Sequence, residues 1–341
     1  MFRQDRTNPS TAVSNWRGRH DAPKAWPSTA VSTWLNGGLF AGGETGAGYF
    51  GGGFGPGFST TVDRFAFPSD SSTTLGTGLS AGTYSLGAMA NSGTAGYFGG
   101  GNTAARVDTV DKFDFSDDSR TTLATGLSAA NQNLAGMANS GTAGYFGGGY
   151  GASGWTAITT VDKFDFSDDS RTTLATGLSA GTADLAGMAN SGTAAYFGGG
   201  DAGGTVDTVD KFDFSDDSRS TLGTGLSAGS SRLAGMANSG TAGYFGGGRN
   251  GAGARVDTVD KFDFSDDSRS TLGTGLSAAN WYLAAMADSG TAGYFGGGDT
   301  ASAVDTVDKF AFSDDSRTTL ATGLSASRHS LAGMANSETL A

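Results

Sequence analysis

The chain has no cysteine, and only five prolines and two histidines among its 341 residues. Without thiols it can form neither a disulfide nor a thiolate metal site. His20 and His329 lie far apart in sequence, which argues against a hydrolase triad or a His-rich metal centre. Positive charge is also scarce. Lys and Arg number 21 against 33 Asp and Glu, a formal net charge of -12, which argues against a basic groove for nucleic acid. No uninterrupted apolar run approaches the ~18 residues of a membrane span. The opening residues MFRQDRTNPS hold no apolar core like that of a secretory signal. Amphipathic helices are missing as well, since no segment keeps a 3.6-residue apolar period for three turns.

What is present is glycine and repetition. Glycines number 59, yet aromatics make up 11% of the chain, too many for a disordered Gly/Ser tract. Two aromatics followed by three glycines recur six times, with the tyrosines at Tyr49, Tyr97, Tyr145, Tyr196, Tyr244 and Tyr294. Each glycine inside a strand is worse than alanine by about 0.5–1 kcal/mol. A repeated cost of that size needs a backbone reason. Sharp turns and close approach of neighbouring elements would supply one.

One full unit, residues 134–179, reads LAGMANSGTAGYFGGGYGASGWTAITTVDKFDFSDDSRTTLATGLS. It contains four short apolar segments: LAGMAN, TAGYFGG, TVDKFDF and TTLATGLS. NSG is a tight-turn sequence between the first two. SDDSR joins the last two, and its Asp and Ser side chains can bond nearby backbone N–H groups. In the third segment Val110 points to one face, and Phe113 and Phe115 to the other, which suits a sheet covered on both faces by neighbouring sheets. Four strands per unit, repeated at 48–51 residues, predict an all-β fold: a β-propeller of six complete four-stranded blades.

The order of apolar strand, YFGG, Val-x-x-aromatic-Asp strand and polar turn resembles the kelch repeat over roughly residues 39–336. The departure is Leu123 and its equivalents, which stand where kelch units usually place a Trp. SDDSRTTL also resembles the Asp-box turn of sialidase propellers, with Arg120 in place of Gly and Leu123 in place of the aromatic. In either family this turn is a fold element. The resemblance implies that the loops between strands two and three and between strands four and one line the ligand surface.

Two ring closures remain open. A seventh blade could be built from both termini, using LAGMANSETLA at the C-terminus with TAVSNW (11–16) and STAVSTWLN (28–36). Alternatively, the C-terminal strand completes the first of six blades. Either way the termini should meet. Residues 1–36 form a basic N-terminal arm of net charge +3, against -15 for the propeller of 37–341. Its Arg3, Arg6, Arg17, Arg19 and Lys24 are candidate docking residues, steered by complementary charge.

Variation among the copies concentrates in two places. In an up-and-down blade the uniform turns NSGTA and SDDSR share one end of the sheet, and the variable loops share the other. The variable face is therefore expected to gather Phe54, Phe58, Tyr84, Tyr150, Trp155, Trp281 and Tyr282 with Arg106, Arg232, Arg249, Arg255, Arg328 and His329. Aromatics and Arg are the types enriched at binding hot spots, and loops on a rigid scaffold are where recognition usually resides. Repeated acids such as Asp114, Asp117 and Asp118 read as solvated turn residues rather than Ca²⁺ ligands, because Lys112 and Arg120 stand close by and no EF-hand pattern is present. No catalytic residue, metal or cofactor is predicted, and the chain is expected not to be an enzyme.

Glycine-rich repeats of this style also resemble structural tail, fibre or decoration proteins of tailed bacteriophages. That resemblance implies a virion protein assembled in the host cytoplasm. It would be present in multiple copies, dock to other virion subunits and contact a host cell-surface glycan. The alternatives are a carbohydrate-binding or glycan-hydrolysing bacterial propeller, and a filament-forming protein of the bacterial cell surface.

Overall fold

The computed structural model describes residues 46–152 and 154–337. The N-terminal arm, with Arg3, Arg6, Arg17, Arg19 and Lys24, lies outside the described residues, as do both N-terminal segments proposed for a seventh blade. The described residues contain no helix and form six four-stranded antiparallel sheets, the blades of a propeller.

Blade 3 shows the plan. Its strands are Ala135–Asn139, Ala143–Gly147, Val161–Asp165 and Arg171–Thr173, each paired with the next. The inner strands of successive blades pack side by side around the axis. Strand four is shorter than the segment TTLATGLS suggested. After Thr173 the chain leaves the sheet, and its Leu178 drops into the core.

The cores lie between blades, one cluster per interface. Met89, Tyr97, Val110 and Leu127 of blade 2, for instance, meet Phe146, Phe164 and Phe166 of blade 3. Within blade 3, Val161 and Phe164 point into opposite interfaces, as the alternation of strand three required. Tyr97 stacks on Phe166 across the joint, with ring centroids 5.3 Å apart.

Ring closure follows the six-blade alternative. Ala332–Ser337 is not the start of a seventh blade. It pairs antiparallel with Gly46–Gly51, Tyr49 opposite Met334, and supplies the inner strand of blade 1.

The glycine triplet now has its reasons, seen at blade 3. A Cβ on Gly147 would stand 2.5 Å from the tip of Phe197 in the next blade. Gly148 and Gly149 have φ of +68° and +96°, the left-handed region where glycine alone is unstrained. The turn they make returns the backbone beneath the neighbouring loop, where the Gly149 N–H donates to the Thr182 carbonyl at 2.8 Å.

On the uniform face, side chains lock each interface in the same way. Tyr97 Oη and Lys112 Nζ of blade 2 donate to the two carboxylate oxygens of Asp169 in the blade 3 turn, at 2.8 and 2.7 Å. Asp169 has φ of +58°, a conformation that Asp tolerates better than most residues. Toward the variable end of the same blades, Asp162 accepts from the Ser128 N–H and Oγ of blade 2, both at 2.8 Å, and from Thr173 Oγ1 at 2.6 Å. The closing interface repeats both locks, with Tyr294 and Lys309 on Asp70 and Ser325 on Asp63. The hairpin turns are also linked around the axis. Ser140 Oγ accepts from the Ser92 N–H, and Ser191 Oγ from the Ser140 N–H.

Candidate binding face

Each loop between strands four and one is read most clearly by position. In the six pentapeptides ending at Ser85, Asn133, Asp184, Arg232, Tyr282 and Ser330, the third, fourth and fifth residues have different tasks. The third, for example Asn131 or Thr182, gives its carbonyl to a glycine of the GGG turn, and its side chain is buried. Asn131 Nδ2 and Asn280 Nδ2 donate to the Gly148 and Gly297 carbonyls. The fourth (Tyr84, Gln132, Trp281 and His329 among them) runs beside the loop between strands two and three. The fifth reaches the axis.

There the backbone closes a ring of its own. The N–H of each fifth residue donates to the carbonyl of its counterpart in the preceding blade: Asn133 to Ser85, Asp184 to Asn133, Arg232 to Asp184, Tyr282 to Arg232, Ser330 to Tyr282 and Ser85 to Ser330, at 2.7–2.9 Å. All six residues have φ of +55° to +61°. Five kinds of side chain thus sit on one six-fold repeated backbone. They line, with the leucines that follow them, an axial cavity of about 70 Å³.

Around this mouth the side chains divide into two arcs. On the polar arc, Asn102 Nδ2 donates to Gln132 Oε1 at 2.6 Å and Gln132 Nε2 to Asn133 Oδ1 at 3.0 Å. Asn133 Nδ2 in turn donates to Asp184 Oδ1. Arg232 Nε is 3.6 Å from Asp184 Oδ2, too far for a hydrogen bond. It is buried without another hydrogen-bond partner among the described residues. Burial pushes the Asp184 carboxyl above its ordinary pKa, an effect that Arg232 and Asn133 partly offset.

The aromatic arc begins at Arg232, whose guanidinium lies 4.6 Å from the Tyr282 ring centroid and 5.1 Å from that of Trp281. Arg255 lies 4.2 Å from the Trp281 centroid and donates to Asp299 Oδ1 at 2.7 Å. Tyr282, His329, Phe54 and Tyr84 then follow, with successive centroids 5.5–5.9 Å apart. Phe58 stacks on Tyr84 at 5.1 Å. Burial pushes the His329 imidazole below its usual pKa, against the opposing charge of Asp299.

A separate shelf stands on blade 3. Trp155, the most exposed large hydrophobic among the described residues at 75%, meets Tyr150 edge-on at 5.3 Å, and Arg106 lies 4.9 Å from its centroid. Tyr150 connects the shelf to the mouth, since its backbone bridges to Gln132, the neighbour of the axial Asn133.

The sequence therefore places Phe54, Phe58, Tyr84, Trp281, Tyr282, His329, Arg232 and Arg255 together, and Arg106, Tyr150 and Trp155 together. Arg249 pairs with Ser231 in a two-residue ladder and bridges to Arg255. Arg328 does not belong to an accessible surface. It occupies the buried third loop position, only 2% exposed, where Nη1 donates to the Gly52 and Thr61 carbonyls and Nη2 meets Asp63 Oδ2 at 2.5 Å. Blade 1 has Ser72 opposite Phe65 where other blades have a strand-four Arg, and Arg328 reaches Asp63 from the preceding blade instead. Sequence reasoning passed over Ser85, Asn133, Asp184 and Ser330. Their signal was available as the fifth letter of each variable pentapeptide, always preceding a leucine.

No protein-family model matches the chain, and no curated protein matches it. Among solved structures it is similar to one titled "Structure of YjhT", with a TM-score of 0.64 and 15% identity over 81% of this chain and 97% of that one. At that identity the likeness concerns the fold. The chain is a six-bladed β-propeller.

Proposed function

We propose that this propeller is a non-enzymatic recognition module of a surface assembly, of the kind found in the tails or fibres of virions, and that it binds through its variable face. The observation that carries the reading is the sorting of diversity. Side chains that lock the blades repeat on one face, while the axial ring on the other holds its backbone constant and changes its side chains. A rigid scaffold presenting unlike loops is the arrangement of a binding protein. The kelch-like order of strands and the phage-like repeat style support the assignment to a virion. Asp184 is the one carboxylate lining the axial cavity, which favours binding over paired-acid glycoside cleavage.

Two measurements test this. Immunogold labelling of purified particles should place the protein on the virion surface. Immobilised protein should capture envelope material from the host, and the triple substitution Trp155→Ala, Trp281→Ala and Tyr282→Ala should reduce capture more than tenfold. Replacing the exposed turn acids Asp117 and Asp168 by Asn should leave capture intact. The reverse pattern overturns the face assignment, and measurable glycan turnover overturns the non-enzymatic reading.

A further inference from the structure

The geometry points to the axial mouth as a site for the uncharged end of a glycan, with a substituent of the terminal sugar in the cavity and the next sugar unit on the Trp155 shelf. This rests on the reading that the variable face is the binding face, and it names the ligand.

Backbone recognition is closed off first. The six N–H and six carbonyl groups at the mouth are spent on one another in the ring, so an extended peptide finds no free strand edge to join there. Side chains must therefore do the recognising. They offer acceptors and donors in close alternation around the cavity: the Asp184 carboxylate, the Arg232 guanidinium, the Asn133 amide and the Ser85 and Ser330 hydroxyls. A hydroxyl group can donate to Asp184 while accepting from a guanidinium N–H of Arg232.

Charge selects next. Asp184 and Arg232 face each other with opposite sign, so an anion entering beside Arg232 meets the carboxylate and a cation meets the guanidinium. A neutral polyol meets neither penalty. Shape agrees, because the Tyr282 ring lines the cavity opposite Asn133 in the six-membered backbone ring, an aromatic surface facing a polar one. A pyranose has that same division, with an apolar ring face and polar edges. The cavity of about 70 Å³ is several times the ~10–15 Å³ that one water requires. It suits a hydroxymethyl or acetamido group rather than a whole ring. Tyr150 leads from the mouth to Trp155, whose exposed indole supplies a second stacking platform.

The test is titration calorimetry of the full chain with methyl glycosides and disaccharides of glucose, galactose, mannose and N-acetylglucosamine, with sialyllactose and glucose 6-phosphate as anionic probes. At least one neutral sugar should bind. Asp184→Asn and Arg232→Met should each weaken it tenfold or more, while Trp155→Ala should weaken the disaccharide and leave the monosaccharide unchanged. Far-UV circular dichroism and melting confirm that each variant is folded. If Asp184→Asn is not, Arg232→Met alone decides. Absence of neutral-sugar binding, binding of the anionic probes alone, or unaltered affinity in the folded variants overturns the proposal. Capture of envelope material that persists in any of these cases leaves the variable face as the binding face and removes only the glycan assignment.

Discussion

The two faces of the propeller close the same ring by different means. On the uniform face the ring is held by side chains: Tyr, Lys and Asp at the turn, Ser and Asn at the hairpins. Those residues cannot vary without loosening an interface, and the copies there are near-identical. On the variable face the axial ring is held by backbone hydrogen bonds, which any residue but proline can supply. Diversity of sequence collects where the backbone alone carries the structure.

Some variable-loop side chains do structural work, Asn131 and Asn280 among them, and Arg328, the charged one, offers the largest test. Arg328→Met would leave Asp63, which is fully buried, without its cationic partner. Removing one member of a buried ion pair costs about 3–5 kcal/mol. Asp63 keeps Ser325 and Thr74 as donors, which places the expected loss at the lower end. Urea denaturation should show it, and a loss below about 1 kcal/mol would mean that the Arg328–Asp63 pair adds little to the closing interface beyond its other locks.

Next comes the uniform face itself. Asp169→Ala strips Tyr97 and Lys112 of their common acceptor and puts alanine at a positive φ. The Lys–Asp pair is about a quarter exposed on both sides, so solvent screening reduces its share. A loss of about 2–3 kcal/mol is expected in all. Asn133→Ala on the axial ring keeps the backbone bonds and should cost about 1 kcal/mol, mostly from the strained φ. If the second change equals or exceeds the first, the division of labour between the faces is wrong.

The sequence made this division visible only in part. The four segments per unit and the opposite directions of Val161 and Phe164 could be read directly, because they follow from strand alternation and repeat in every copy. Sorting of uniform turns from variable loops followed from up-and-down topology. The axial ring did not show, because its left-handed backbone is signalled by Asn133 and Asp184 but not by Arg232 or Tyr282. Burial of Arg328 escaped for a related reason. Its loop reads as exposed and polar, and only the position-by-position comparison shows that the third residue turns inward. Closure by the C-terminal strand was one of two options, since a lone strand-one sequence fits either an old blade or a new one.

Acidity sharpens the comparison further. In the folded state burial raises the Asp184 carboxyl above its ordinary pKa. Between those two pKa values the unfolded chain has already lost a proton that the folded chain retains, so stability falls as pH rises through this window and is level above it. Asp184→Asn abolishes that component. The stability of Asp184→Asn relative to the parent should therefore improve from pH 3 to pH 7 in parallel melts. The imidazole of His329 behaves in the opposite sense. Its folded pKa is lowered, so acidification below about 6.5 protonates the unfolded chain first and destabilises the fold. His329→Gln should blunt that acid-side loss.

The smallest expected effect on stability is at Trp155. With three quarters of its surface in solvent, Trp155→Ala removes little burial and should shift stability by no more than about 0.5 kcal/mol. Its energetic neutrality in the folded chain is the point. An indole left in water beside Arg106 and Tyr150 is expected to contribute little to the propeller, and the proposed function assigns it to contact with a ligand. A variant that melts like the parent but no longer captures envelope material would separate recognition from folding at a single side chain. A variant that melts several degrees lower would show instead that the shelf is part of the scaffold, and the contrast between a locked face and a free one would have to be redrawn at blade 3.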